Sequence, residues 1–386
     1  MINSSDRATV VTPADELHVS IIRKWSGPVP RILPPTPCHQ MAQSTPTTFN
    51  AFGKSARERL NDYVTSAGSR AELITELTPD ASTRVYFRIP WQRRTAVAAV
   101  YPEPFDPEVH PFLDVTRLFA AAGLPIPEIL DVVALQGIIV QEDLGDRQLR
   151  QVFATASVEE AESYTEQAIS IIADIQAATA HAAERNSIAS RLAFDEAKLS
   201  WELDYFIKHY FTSYRRHALK HSEEAELRVE MNDLAADLSA RPRVLCHRDF
   251  HSSNLMVDRA HHLRVVDYQD ARMGPATYDL VSLLLDRQLE PPSLAEVRER
   301  RLYFLEERQA RGLMALDPDD FAHEFRLMAV QRCLKAAGTF SYQTAVAGRG
   351  HLYEQFIRPM LRIVVQSAEW LDRFPALQTL LRGGLS

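Results

Sequence analysis

The chain has 386 residues, 46% of them hydrophobic and 24% charged, which is enough apolar material for a buried core and more than one lobe. A formal net charge of −8 argues against a nucleic-acid-binding surface, which would be basic, and no apolar stretch approaches the ~20 residues that span a bilayer. Three cysteines, Cys38, Cys246 and Cys333, without C-x-x-C spacing fit a reducing, cytoplasmic setting better than a disulfide scaffold.

Residues 1–48 carry Pro28, Pro30, Pro34, Pro35 and Pro37, then a Ser/Thr/Gln-rich stretch without periodicity. Prolines at this density disfavour regular structure, so the segment reads as a disordered tail with at most one short helix at 14–25. A helix is expected over 49–67. Runs rich in β-branched and aromatic residues predict strands at 72–77, 85–89 and 96–101. A helix over 107–122 follows, stopped by Gly123, Pro125 and Pro127. Strands at 128–134 and 137–142 then lead to a polar hinge, Asp143-Leu144-Gly145-Asp146. Beyond the hinge, apolar residues spaced by three and four predict helices over 157–183, 195–211 and 222–239. The one β interruption is 244–267, and helical patterning resumes from Asp279. The class is therefore α+β: a small mixed N-terminal lobe over 49–143 and a larger, mainly helical lobe over 144–386.

The segment His247-Arg248-Asp249-Phe250-His251-Ser252-Ser253-Asn254 fits the pattern H-R-D-x-x-x-x-N letter for letter. That spacing serves phosphoryl transfer: an aspartate meets the acceptor hydroxyl, and an amide five residues later holds magnesium on the nucleotide. Leu255–Asp258 and Leu263–Val266 read as a hairpin that returns Asp267 beside Asn254. Asp249 is thus the candidate catalytic residue. Asn254 and Asp267 are the candidate ligands of Mg²⁺, with ATP as the phosphoryl donor.

These residues, with Asp267-Tyr268-Gln269-Asp270-Ala271 and Gly274-Pro275-Ala276-Thr277-Tyr278-Asp279-Leu280, resemble the aminoglycoside phosphotransferase/choline kinase superfamily. Within it the wording is most similar to the anomeric cell-wall amino-sugar kinases, which phosphorylate N-acetylmuramate and N-acetylglucosamine at the 1-hydroxyl. The resemblance extends through Asp80–Arg84, Gln141–Asp146 and Gln331–Gly338, and implies a bilobal protein-kinase-like fold and a small-molecule sugar as the partner. It also implies that His247 and Asp279 brace the catalytic loop.

Two parts of the usual nucleotide site are missing. The segment from Glu76 to Ile89 contains no glycine, and no lysine occurs between Lys54 and Lys198. A phosphate grip would then fall to backbone amides and the hydroxyls of Ser82 and Thr83. Arg84, Arg88 or Arg93 would supply the positive charge, Arg84 lying nearest the loop. Backbone groups around Glu142 and Leu144 would reach the adenine. For the acceptor, Trp201 and Glu202, near Tyr205, Phe206 and His209, form either a sugar platform or core packing. Gln331 and Lys335 share a helix face with Arg332 beside them, offering cations to a lactyl carboxylate or merely a solvated surface. His251 either orients the acceptor or backbone or is a satisfied structural histidine, and Asp270 either touches substrate or metal or caps a turn. An aminoglycoside kinase, a choline-type kinase and, in another class, a nucleotide-binding pseudokinase are the alternative functions.

Overall fold

The computed structural model describes residues 53–77 and 84–385. The tail at 1–48, the short helix expected within it at 14–25, Cys38, and the segment holding Ser82 and Thr83 lie outside the described residues. Five antiparallel strands begin the fold: β1 (Thr75–Leu77), β2 (Val85–Trp91), β3 (Arg94–Val100), β4 (Ile129–Val133) and β5 (Ile138–Glu142). Their order across the sheet is β1-β2-β3-β5-β4. Alternation along β2 decides its two faces. Phe87 and Ile89 join Ala98, Val140 and, from helix α1 (Ala56–Ser66), Leu60 and Val64 in one buried cluster. The period of two sends Arg84, Tyr86 and Arg88 to the opposite face. There the Arg84 guanidinium lies 5.6 Å from the ring centroids of both Tyr86 and Tyr101.

Among the boundaries that differ from expectation, two have clear local reasons. The strand expected at 72–77 is shortened because Ala71–Leu73 form a 3₁₀ turn. Helix α2 (Pro111–Ala121) starts at Pro111 instead of residue 107, since a proline is accommodated at the first helical position, where its missing N–H has no partner to lose. The apolar side of α2, with Phe112, Leu118 and Phe119, packs into the large core shared with the C-terminal helices.

Those helices, counting the ones of eight or more residues, are α3 (Val158–Ala177), α4 (Glu196–Phe206), α5 (His221–Ser239), α6 (Tyr278–Leu285), α7 (Leu294–Ala310), α8 (Pro318–Ala345), α9 (Gly350–Leu371) and α10 (Pro375–Leu385). The helix expected over 157–183 breaks at Ala178, and α4 passes at Ile207 into a π-helical stretch, Ile207–Tyr214. The α4 end of that junction packs directly on α8. A Cβ at Gly338 would stand 2.7 Å from the Phe206 Cα, so only glycine admits the approach.

The β interruption comprises β6 (Arg243–Cys246), β7 (Leu255–Val257) and β8 (Leu263–Val265). A strand that the sequence does not signal, β9 (Arg272–Pro275), pairs antiparallel with β6. It is short, ends in Gly274-Pro275 and shows no alternation, so its pairing is a tertiary outcome. Cys246 and Cys333 are free, buried thiols that burial pushes up in pKa. Among the described residues no helix is long and apolar enough to cross a membrane.

Gly338→Ala should lower the free energy of unfolding by about 1–3 kcal/mol, the usual range for forcing extra volume into a packed contact. Urea denaturation measures this, and an unchanged midpoint would contradict the close approach of α8 to Phe206.

Candidate active site

Strand β6 delivers the chain to His247, and the loop that follows is held by Asp279 near the start of α6. Asp279 is fully buried; its Oδ2 accepts the N–H of His247 at 2.6 Å and its Oδ1 accepts the N–H of Arg248 at 3.0 Å. Burial pushes the Asp279 carboxyl up in pKa, and both hydrogen bonds work against that shift. The loop needs this clamp because Arg248 has φ of 87°, a costly region for a residue with a side chain. His247 Nδ1 accepts from the Asp249 N–H at 3.3 Å, so its proton sits on Nε2, which donates to the Val266 carbonyl at 3.0 Å.

The hairpin closes as its spacing predicts. Leu255 pairs with Val265, and the Val266 N–H donates to the Asn254 carbonyl at 3.0 Å. Asn254 Nδ2 donates to the Asp249 carbonyl at 2.9 Å and lies 3.5 Å from Asp267 Oδ2. Asp267 also has positive φ, 65°, and accepts from Gln269 Nε2 at 2.9 Å. Tyr268 anchors the turn on α2: its ring stacks on Phe112 at 5.4 Å and its hydroxyl meets Thr116 Oγ1 at 3.1 Å. Among the described residues no group of three His, Cys, Asp or Glu side chains could hold a metal. An adjacent amide and carboxylate nevertheless suit Mg²⁺, which takes few protein oxygens and completes its shell with phosphate and water.

Three cations converge on Asp249. Its Oδ1 accepts from Arg332 Nη2 at 3.1 Å and from Lys335 Nζ at 3.2 Å, while its Oδ2 lies 3.7 Å from Arg248 Nε. Burial opposes the charged form, but Lys335, Arg332 and Arg248 outweigh it and hold the carboxyl well below the usual carboxylate range. The cations have their own acids. Arg332 Nη2 donates to Asp286 at 3.1 Å and to Ser282 Oγ at 3.0 Å. Arg248 pairs with Asp270 at 2.9 Å, and Asp270 also lies 3.6 Å from Arg272, so its carboxylate is engaged in ion pairs. Glu202 accepts from Gln331 Nε2 at 2.9 Å and lies 3.2 Å from Lys198.

These contacts sort the acceptor-side residues. Gln331 and Arg332 are buried, whereas the Lys335 side chain keeps 18% of its surface exposed. A ligand carboxylate reaching Arg332 would have to displace Asp249 or Asp286; Lys335 is the accessible cation. Glu202 is buried, while its neighbour Trp201 is 51% exposed with the Lys198 ammonium 4.2 Å over its ring, so this part of the aromatic run is a rim and not core. His251 is buried, and burial, outweighing Asp286, pushes its pKa down to about 4.

In the sheet-bearing lobe, Arg84 Nη2 lies 3.9 Å from Asp267 Oδ1 and Arg84 Nη1 donates to the Tyr101 hydroxyl at 3.2 Å. Arg88 is committed elsewhere: it grips Asp143 at 2.8 and 3.1 Å and Asp146 at 2.8 Å, at the hinge. Arg93 is exposed in the turn between β2 and β3. The Glu142 carboxylate accepts from Arg264 Nη2 at 2.6 Å, joining β5 to β8, so its side chain is a brace, and its N–H donates to the Glu128 carbonyl at 2.8 Å. Sequence reasoning missed the Arg248 side chain, Ser282 and Asp286. Asp286 and Arg332 are 46 positions apart, and no spacing rule links them.

Residues 73–316 match the profile of a family described as phosphotransferase enzyme family. The chain is 30% identical over 269 residues to an N-acetylmuramate/N-acetylglucosamine kinase of Neisseria meningitidis, covering 69% of this chain and 78% of that one. It is 30% identical over 272 residues to the kinase of the same name from Pseudomonas aeruginosa, covering 70% and 76%. Among solved structures, a choline kinase from Streptococcus pneumoniae superposes with a TM-score of 0.51 at 11% identity, over 82% of this chain and 99% of the other. A macrolide 2'-phosphotransferase from Brachybacterium faecium gives 0.50 at 17%, over 78% and 98%. Both share the bilobal kinase-like fold.

Because folding depresses the pKa of His251 from 6.5 to about 4, the unfolded chain binds the proton more readily between those values. Stability should therefore be undiminished above pH 6.5 and fall toward pH 4, by roughly 3 kcal/mol at most from this group. His251→Gln should flatten that part of a pH series of urea midpoints; an unchanged slope would exclude His251 as its source.

Proposed function

The chain belongs to the phosphotransferase enzyme family, and from that premise we propose that it transfers the γ-phosphoryl group of ATP to the anomeric hydroxyl of N-acetylmuramate or N-acetylglucosamine, in the cytoplasm, in cell-wall sugar recycling. The observation that carries this reading is the Asp249 carboxylate, held ionised by Lys335, Arg332 and Arg248 beside the Asn254–Asp267 pair. The two curated kinases of these sugars support the acceptor.

Nucleotide and acceptor meet between the lobe at 49–143 and the lobe at 144–386. Asp249 orients the acceptor hydroxyl and takes its proton. A carboxylate this weakly basic is a poor match for an ordinary alcohol, and a better one for an anomeric hydroxyl, which is more acidic. Asn254 and Asp267 would hold Mg²⁺, which when bound offsets the charge of the β- and γ-phosphates. Arg84, beside Asp267, takes the place of the missing strand lysine, with Ser82 and Thr83 on the phosphates and the backbone near Glu142 and Leu144 on the adenine. Lys335 meets the lactyl carboxylate of N-acetylmuramate and Trp201 offers its face to the sugar ring. Glu202, His251, Gln331 and Arg332 hold them from behind, and His247 and Asp279 keep the loop in shape.

Three cations around Asp249 (Arg248, Arg332 and Lys335) disfavour a polycationic aminoglycoside. The pairing of Glu202 with Lys198 takes the acid beside Trp201 out of use as a choline cage. Intact Asp249, Asn254 and Asp267 speak against a pseudokinase.

A coupled ATP-consumption assay should show turnover with N-acetylmuramate or N-acetylglucosamine and none with kanamycin or choline; the reverse pattern would sink the acceptor assignment. Asp249→Asn should lower kcat by about a hundredfold or more while nucleotide affinity, read by calorimetry, stays near wild type. Lys335→Met should raise KM for N-acetylmuramate about tenfold more than for N-acetylglucosamine, which lacks the lactyl group. Equal losses on both sugars would remove Lys335 from carboxylate recognition.

A further inference from the structure

A cavity of about 350 Å³ lies among α6, α7, α8, α9 and the segment joining α6 to α7, and none of its lining residues belongs to the group around Asp249. Its walls are apolar: Leu285, Val297, Phe325, Ile363 and Trp370 contribute side chains. Its volume lies within the range of small-molecule sites, roughly 300–1,000 Å³.

Two arginines line it. Arg301 on α7 is 8% exposed, and its Nε and Nη1 are buried without a hydrogen-bond partner among the described residues. Arg326 on α8 has its guanidinium 3.2 Å from the Trp370 ring centroid and donates to the carbonyl of Ala322, which leaves its charge uncompensated. The Arg301 guanidinium likewise lies over an aromatic face, 5.5 Å from the centre of Phe325. A ring face offsets a buried cation less completely than a carboxylate does. Arg332, also buried, has both Asp249 and Asp286. The lining carboxylate, Glu369, is already paired with Arg382. After burial, which lowers its pKa, the charged group acting most on Arg301 is another cation, Arg298; burial and Arg301 together push Arg326 down to about 10.

A buried guanidinium with no counter-ion is expensive, and its retention at the edge of an apolar cavity has a simple reading: the counter-ion is brought by a ligand. We propose that this cavity is a second ligand site, distinct from the phosphoryl-transfer centre, for an amphipathic organic anion whose apolar body fills the cavity and whose acidic end binds Arg301 and Arg326. Neither half of such a ligand suffices. The walls alone would accept any apolar body, and the two arginines alone any small anion.

The test uses the full chain and decanoate as probe, with decanol and inorganic phosphate as the two halves. Calorimetry should show saturable one-to-one binding of decanoate, with decanol and phosphate each about tenfold weaker or more. Arg301→Met should weaken decanoate binding about tenfold and, without ligand, raise Tm, because it removes an uncompensated buried charge. Arg326→Gln should weaken binding in the same direction and serves if the first variant does not fold. Decanol binding as tightly as decanoate would reduce the site to an apolar void, and phosphate alone binding as tightly would reduce it to an anion patch. Either result, absence of saturable binding, or an Arg301→Met protein that loses stability yet keeps its affinity overturns the proposal.

Discussion

A carboxylate can stay ionised where much of the water is excluded only if nearby charges take the place of solvent, and at Asp249 they do. Lys335, Arg332 and Arg248 surround it, and each is a charge that itself has to be satisfied. Hence the next ring: Asp286 and Ser282 for Arg332, Asp270 for Arg248, and Glu202 with Gln331 and Lys198 on the side of Lys335. Removing one member of a buried pair typically costs about 3–5 kcal/mol because the survivor is left uncompensated. The network therefore couples its members, and it draws them from α4, α6 and α8.

The backbone carries a complementary strain. Arg248 and Asp267 both have positive φ, with values of 87° and 65°. Such conformations persist where the surroundings over-determine them. Asp279 supplies that at the first through two backbone hydrogen bonds, and Tyr268, packed against α2, supplies it beside the second. His247 joins the two, since its ring bridges the Asp249 amide and the Val266 carbonyl. Asp249 and Asp267 thus hold their places through one continuous set of contacts.

Where the small lobe meets the large one, the hinge is an electrostatic seam. Glu142 reaches Arg264 on β8, and Arg88 closes on Asp143 and Asp146. The alternation of β2 separates these duties. Arg84, Tyr86 and Arg88 share one face, yet Arg88 lies at the hinge and Arg84 beside Asp267. With no lysine in the small lobe beyond Lys54, that register assigns the cation nearest Asp267.

Much of this was legible in the order of residues. The sheet strands, most of the helices, the hairpin and the placing of Asn254 next to Asp267 follow from spacing, because a turn of fixed length leaves the chain little choice. The bracing by Asp279 came from resemblance, and the structure gives it a physical form. What spacing could not reveal lies in partners far apart along the chain: β9 beside β6, Asp286 beside Arg332, Arg301 left without a carboxylate at the cavity. The meeting of Asp249, Asn254 and Asp267 is fixed by spacing, since local geometry depends on neighbours a few residues away. The lowered pKa of Asp249, and the burial of Arg332 beside an accessible Lys335, come from the packing of the folded chain. Those outcomes depend on burial and on charges that the fold brings together from distant helices.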